Sequence, residues 1–258
     1  TVAPGPPDFT GLQLQSVFRI VKRIVLEFED QHFAVIHLMV AGRFKWIEKG
    51  TKGVFAKNLL ARFEFETGSL GLTEAGSKRR ASLHLVKGSA ALAALDPGGL
   101  EPLGMSLNQF SKLLLAENHT LKRALTNPAF ISGIGNAYSD EILHRAKLSP
   151  LKLTQSLNDG ELPRLFAAMQ DVLREWTQML RNEARGRFPE KVTAFRPEFA
   201  VHGKFGAPCP DCGAPVQRIV YAENESNYCA RCQTGGKLLA DRALSRLLKS
   251  SWPKTIDG

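Results

Sequence analysis

The chain's four cysteines all fall in one stretch, Cys209-Pro-Asp-Cys212 and, after sixteen residues, Cys229-Ala-Arg-Cys232. A C-x-x-C knuckle turns tightly enough to aim both sulfurs at one point, and two knuckles at this separation place four thiolates around one tetrahedral Zn²⁺. The competing reading, a pair of disulfides, belongs to short cysteine-dense secreted chains and suits a protein of 258 residues poorly. There is no fifth cysteine, and the nearest histidine, His202, lies outside the knuckles. The site is therefore expected to be closed and structural, with one zinc ion bracing the fold and the chemistry elsewhere.

A second candidate runs from Asn127 to Glu141, where Gly133 and Gly135 precede a helix expected to begin near Tyr138. Without Cβ atoms at those positions a phosphate can approach the backbone N–H groups. The helix start adds partial positive charge, and Asn136 offers a side-chain donor. The same residues also describe a glycine-rich turn with Asn136 as a plain helix cap, and spacing does not choose between the two. No strand precedes the segment and a third glycine is missing, so it is not a dinucleotide fingerprint.

Lys22 falls in Arg19 to Leu26, read as one strand in which alternation puts the lysine on the face of Ile20, Ile24 and Leu26. A desolvated amine there would have a lowered pKa and suit proton transfer or a phosphate, whereas a lysine snorkelling to solvent near a strand end would do neither. Ser77-Lys78-Arg79-Arg80 is a basic loop aimed either at a nucleic acid or at water. His37, ending an apolar strand before Gly42-Arg43, reads as a structural histidine. Arg218, Arg231, Lys237, Arg242 and Arg246 could line a phosphate track beside the cysteines.

The elements that must position these residues change character along the chain. Gln13 to Trp46 reads as strands, with Val17 to Glu27 as one, a turn at Asp30-Gln31 and an apolar run from Phe33 to Met39. Ala61 to Phe65 and Leu70 to Thr73 form a further pair around Thr67-Gly68. Asp96-Pro97-Gly98-Gly99 then breaks the pattern and helical spacing begins. Ser106 caps a helix carrying Phe110, Leu113 and Leu114. Asn158 or Asp159 precedes a long amphipathic helix whose core stripe is Leu165, Phe166, Met169, Val172, Leu173, Trp176 and Leu180.

With 43% apolar residues the chain can bury a sizeable core, and its length favours two domains over one. No apolar run is long enough to span a bilayer, and the first residues carry no signal-peptide pattern. Thiols read as zinc ligands imply a reducing intracellular setting, cytoplasm or nucleoid. Thirty-four Lys and Arg against 25 Asp and Glu give a net charge of +9, which favours a polyanionic partner.

Taken together, these residues resemble the formamidopyrimidine-DNA glycosylase and endonuclease VIII family, bifunctional base-excision enzymes. The resemblance is carried by Lys22, the His37 to Phe44 segment, Arg79-Arg80 and Leu100-Glu101-Pro102-Leu103. It continues through Lys122, Gly133-Ile134-Gly135-Asn136 and Pro150 to Val201-His202-Gly203-Lys204 before the cysteines. It implies an α+β fold: a β-sandwich domain over 1–98, a helical helix-two-turn-helix domain over 99–200, and a zinc ribbon over 201–258. DNA would lie in the cleft between sandwich and helices, and the chain would be a monomer. Lys22 would be catalytic, and Lys22, His37, Arg79, Lys122, Gly135, Asn136 and Asn224 would contact DNA.

Three departures bear on function. Family members begin with a proline whose secondary amine attacks the sugar C1′, followed by a glutamate. This sequence begins with Thr1, at a point resembling the interior of the family's first domain, so either a segment of a few tens of residues precedes it, the favoured expectation, or the protein never had the proline. Asn224 stands where the family has an arginine, five residues before the third cysteine, flanked by Glu223 and Glu225. The family's duplex-filling Met, Arg and Phe read here as Val40, Arg79 and Ala81, so two wedges have shrunk. The expected activity is a DNA glycosylase with abasic-site lyase action on damaged bases. A non-catalytic binder of damaged or distorted DNA is the alternative, and an RNA-binding zinc-ribbon protein a third reading.

Overall fold

The apolar run at Phe33 to Ile36 is the middle of a sheet covered on both faces, which is why it reads as continuous apolar sequence and not as an alternation. The computed structural model describes residues 4–51, 57–75, 78–189, 195–221, 224–240, 247 and 254–256. The chain divides into two units, Thr1–Pro97 with Glu183–Ala194 and Gly98–Asn182 with Phe195–Gly258.

In the first unit, β1 (Leu14–Ile20), β2 (Arg23–Phe28), β3 (His32–His37) and β7 (Ser82–Lys87) form one antiparallel sheet in the order β1-β2-β3-β7. The strands β4 (Gly42–Glu48), β5 (Leu59–Phe65) and β6 (Gly68–Glu74) form a second, in the order β4-β6-β5. Leu26, Phe28, Ala34 and Ile36 of the first sheet share a core with Leu70 and Leu72 of the second, so the two stack as a sandwich. On the other face of the first sheet, Val25, Phe33 and Val35 pack with Leu92 of the short helix α1 (Ser89–Ala93) and with Leu95.

Val17 to Glu27 is not a single strand. It is the β1–β2 hairpin, turning at Val21-Lys22, and Arg23 pairs back to Ile20. β-branched residues favour strand, yet one of them, Val21, occupies the turn itself at φ 56°, a conformation β-branched side chains strongly disfavour. The Arg19 guanidinium donates to the Val21 carbonyl and helps hold that conformation.

The second unit holds α2 (Leu107–Ala116), α3 (Leu121–Thr126), α4 (Asn136–Arg145) and α5 (Glu161–Ala184). They are followed by the hairpin β8 (Val216–Tyr221) and β9 (Asn224–Cys229) and the short α6 (Ala230–Thr234). Ser106 caps α2 with a capping box, its hydroxyl accepting the Gln109 N–H. The Asn158 side chain accepts the N–H groups of Gly160 and Glu161 at the start of α5. Phe110, Leu114, Leu121, Leu125, Ile142, Leu165, Met169 and Val172 form one core. Leu180, expected in that stripe, is exposed, and Met179 in the same turn packs against the core instead. At Gly99 a Cβ would collide with the Pro128 carbonyl. Its absence lets Leu100 bridge Ile131, with Leu100 N–H donating to the Phe130 carbonyl at 3.0 Å. The fold is thus α+β: stacked sheets, a helical core and a four-cysteine ribbon. No helix among the described residues is long and apolar enough to cross a membrane.

Candidate nucleic-acid interface and metal centre

The cysteine knuckles fold as their spacing requires. Gly213, at φ 73°, closes the first, its N–H donating to the Cys209 carbonyl at 2.9 Å. In the second, Cys229 N–H donates to Gln233 Oε1, and Gln233 Nε2 donates to the Leu148 carbonyl, both at 2.8 Å, which ties the knuckle to the chain just after α4. The Sγ atoms of Cys209 and Cys232 lie 3.9 Å apart, those of Cys212 and Cys229 3.4 Å, and all four fall within 4.8 Å of one another. Zinc–sulfur bonds of about 2.3 Å require tetrahedron edges of about 3.8 Å, so the four cysteines fit a single Zn²⁺. None is in a disulfide. Burial pushes the Cys229 thiol up to about 11, a proton that metal binding must displace.

Helix α4 connects this ribbon to the glycine segment. The helix starts at Asn136 and not near Tyr138; Gly135 is the N-cap and Asn136 the first helical residue. Asn136 is therefore not a cap. Its Nδ2 reaches across to donate to the Glu225 carbonyl in β9 at 2.7 Å. Gly133 needs its left-handed φ of 82°, whereas Gly135 is extended at φ −115° and accepts from Ser139 N–H at 3.0 Å and Ser139 Oγ at 2.8 Å.

Behind the helix start lies a buried polar cluster centred on Asp140. Its carboxylate takes the Lys122 ammonium, His202 Nδ1 at 2.8 Å, Ser226 Oγ at 2.9 Å and the Asn227 N–H at 3.1 Å. Its neighbour Glu141 accepts the backbone N–H groups of Ala200, Val201 and His202 at 2.7, 3.0 and 2.9 Å. Lys122, expected at DNA, points inward, its side chain only 16% exposed, and also donates to the Asn136 carbonyl at 2.8 Å. Burial lowers its pKa against the opposing pull of Asp140.

Of the ribbon's flanking cations, Arg218 is engaged within the hairpin. Arg218 pairs with Glu225 at 3.3 Å and stacks over Phe205 at 4.3 Å, and Asn227 Nδ2 donates to Glu225 Oε1 at 2.7 Å. Arg231 and Lys237 are exposed. Asn224 opens β9 opposite Tyr221, but its side chain lies outside the described residues, as do Glu223, Arg242, Arg246, Ser77 and Thr1.

In the first unit, strand register brings the remaining candidates to one end of the four-stranded sheet. Arg23 pairs with His37 and His37 with Ser82, so the Lys22 turn, the segment after His37 and the loop ending in Arg79-Arg80-Ala81 are neighbours. Lys22 is exposed at the hairpin tip, and crowding there still lowers its pKa by desolvation. His37 Nδ1 accepts the Met39 N–H at 3.0 Å, and its pKa is lowered by burial and by the positive charges of Arg23 and Lys22. Arg79 is exposed, and its loop is pinned by buried Glu74, which accepts the N–H groups of Arg80 and Ala81 at 2.9 and 3.0 Å.

Three residues that shape these clusters escaped sequence reasoning: Glu74, Asp140 and Met39. Acidic residues in strands and helices look like solvated surface until their partners are known. Met39 hid inside an apolar run, yet it is 45% exposed beside Val40 at 73% and has φ 53°. It sets a long flexible apolar side chain next to Val40.

Two family models match the chain: the formamidopyrimidine-DNA glycosylase H2TH domain over residues 99–184, and a zinc finger found in FPG and IleRS over residues 206–235. A curated relative from Mycobacterium tuberculosis, called an uncharacterized formamidopyrimidine-DNA glycosylase-like protein, is 40% identical over 58% of this chain and 94% of its own length. A formamidopyrimidine-DNA glycosylase from Heliobacterium modesticaldum is 31% identical over 86% of this chain and 83% of its own. Among solved structures, MutM in complex with DNA containing carbocyclic 8-oxo-G, and Lactococcus lactis Fpg with abasic-site DNA, each superpose with a TM-score of 0.76. Both are 24% identical and cover 88% of this chain and 84% of theirs, a likeness of fold. With one matched domain around α4, the other around the four-cysteine zinc site, and relatives aligned along most of its length, this chain belongs to the formamidopyrimidine-DNA glycosylase family.

Proposed function

We propose that the chain works in base-excision repair as a DNA glycosylase with abasic-site lyase activity, acting on damaged, in particular oxidised, bases. The observation that carries this reading is the junction of the Gly133–Asn136 segment with the ribbon hairpin at Asn136 and Glu225. It sets the open start of an α-helix beside a metal-braced hairpin, an arrangement suited to a sugar-phosphate backbone.

In this reading the first-turn N–H groups of α4 and the second amide hydrogen of Asn136 take one phosphate. Lys122 and Asp140 support them from behind. Lys22, with lowered basicity at an exposed tip, carries a proton during elimination and draws in a phosphate. His37 and Arg79 line the same end of the sheet, and Met39 compensates for the lost volume of Val40. The family resemblance assigns the attacking amine to an N-terminal proline. Zinc holds the hairpin and takes no part in bond making.

The test is borohydride trapping of the full-length protein on abasic and lesion-bearing oligonucleotides. A covalent adduct on at least one supports the enzyme, and none on any lesion tried overturns it. One observation favours a second reading, a binder of damaged or distorted DNA that does not cut: Asn224 brings no charge where the family carries arginine. That reading predicts tight, salt-sensitive binding to abasic DNA without trapping. A flat salt response would remove both.

A further inference from the structure

The helix that begins at Asn136 carries His144 near its other end, against the metal centre. His144 is 4% exposed, and its Nε2 lies 3.3 Å from Cys209 Sγ and 3.8 Å from an Asp211 carboxylate oxygen. His144, Asp211 and Cys232 present ligand-type atoms within 4.8 Å of one another. Lys147, on the turn after α4, pairs with Asp211 and sits close enough to Cys209 and Cys232 to feel their charge.

Four thiolates already complete a tetrahedral zinc, so the histidine is not needed as a ligand. A tetrathiolate zinc does, however, carry two net negative charges. Cys209 and Cys229 are buried, and sulfur deprived of hydration needs donors to spread that charge. A metal-bound thiolate has no proton to give, so a hydrogen bond at Nε2 requires the ring to supply it.

We propose that His144 is an outer-sphere donor, its Nε2–H bonded to the Cys209 thiolate, and that this bond sets how firmly the ribbon keeps its zinc. The bond draws electron density from sulfur and makes Cys209 a poorer base and nucleophile, which slows the protonation or oxidation that opens a zinc–sulfur bond. Lys147, steered by Asp211, adds positive charge from the same side. Helix α4 therefore serves the ribbon at both ends: Asn136 ties its hairpin, and His144 protects its metal.

The decisive measurement uses the intact chain with cadmium in place of zinc. Proton–cadmium scalar coupling at the His144 Nε2–H resonance is expected, since it is transmitted across an N–H···S bond, and its absence from the folded, metal-loaded chain overturns the proposal. Variants add a second reading. His144→Phe should release zinc to a chromophoric chelator about 10-fold faster or more and shift the sulfur-to-metal charge-transfer band of the Co²⁺ form. His144→Gln, which restores an N–H donor, should recover most of both. If release accelerates only in step with lost unfolding stability while the Co²⁺ band stays put, His144 is a packing residue and the proposal fails. A Co²⁺ spectrum of three sulfurs and one nitrogen in the unaltered chain also defeats it.

Discussion

The side-chain amide of Asn136 donates to the main-chain carbonyl of Glu225 at 2.7 Å, joining the first residue of α4 to the second residue of β9 across 89 positions of sequence. The glycine segment and the hairpin of the zinc ribbon are thereby one structural unit, and a residue expected to touch phosphate also fixes the surface it belongs to. Asn136→Ala should weaken binding to abasic duplex about 5- to 10-fold, equally across flanking sequences, as expected of a backbone contact. Fluorescence anisotropy on several duplexes checks it, and a loss confined to one sequence contradicts it.

Asp140 is wholly buried and receives four donors, one of them the Lys122 ammonium. Removing its charge strands a cation that has little access to water. Asp140→Asn should lower the unfolding free energy by about 3 to 5 kcal/mol in denaturant titrations. A change below about 1 kcal/mol would mean that water or a rearranged Lys122 takes over the role.

Glu74 holds the backbone of Arg80 and Ala81 from beneath the basic loop. In Glu74→Ala those two amides should exchange with solvent much faster, and stability should fall by about 1 to 2 kcal/mol, since two part-buried hydrogen bonds are lost. DNA affinity should fall with it if the loop is presented and not merely tolerated. Hydrogen exchange resolved at Arg80 and Ala81 is the direct check.

Stripping zinc should disorder the segment matched by the zinc-finger family model, 206–235, because the small Val201, Cys209, Ala214, Val216 and Cys229 cluster closes only around the knuckles. Asn136 would then lose its acceptor, and DNA affinity should drop sharply and return with added Zn²⁺. Binding isotherms before and after chelation test this, and superimposable curves would refute it.

His37 has its pKa lowered from the ordinary 6.5 by burial, then by Arg23 and Lys22. Below that value the unfolded chain takes up the proton first, so this group erodes stability as pH falls through 6.5 toward its folded pKa and costs nothing above it. Its NMR titration midpoint should lie below 6.5 in the free protein and rise when DNA phosphate arrives. A midpoint unmoved by saturating DNA would place His37 outside the contact surface.

Much of the local architecture was legible in the residues. Ser106 and Asn158 announced their helices because a cap bonds to N–H groups two or three positions away, and Ala61 to Phe65 with Leu70 to Thr73 announced a strand pair turning at Thr67-Gly68. The Val21-Lys22 turn was not legible, because Val21 takes a backbone conformation its side chain resists and only the paired strands enforce it. The direction of Lys122 was not legible either, since a cation's preference for water or for a buried carboxylate depends on whether that carboxylate is there.

From its order of residues alone this chain declared a zinc site and a change from strands to helices, because ligand spacing, caps and periodicity act over a few neighbouring positions, while its motifs in order carried the resemblance to a DNA-repair family. Folding in three dimensions decided which polar groups meet: Asp140 with Lys122 and His202, Glu74 with the Arg80 loop, His144 with Cys209. These encounters join residues separated by as many as 65 positions, and they hold because a buried charge or donor must find a partner wherever packing places one. Sequence periodicity tells which face turns inward, whereas the partner on the far side is set by packing.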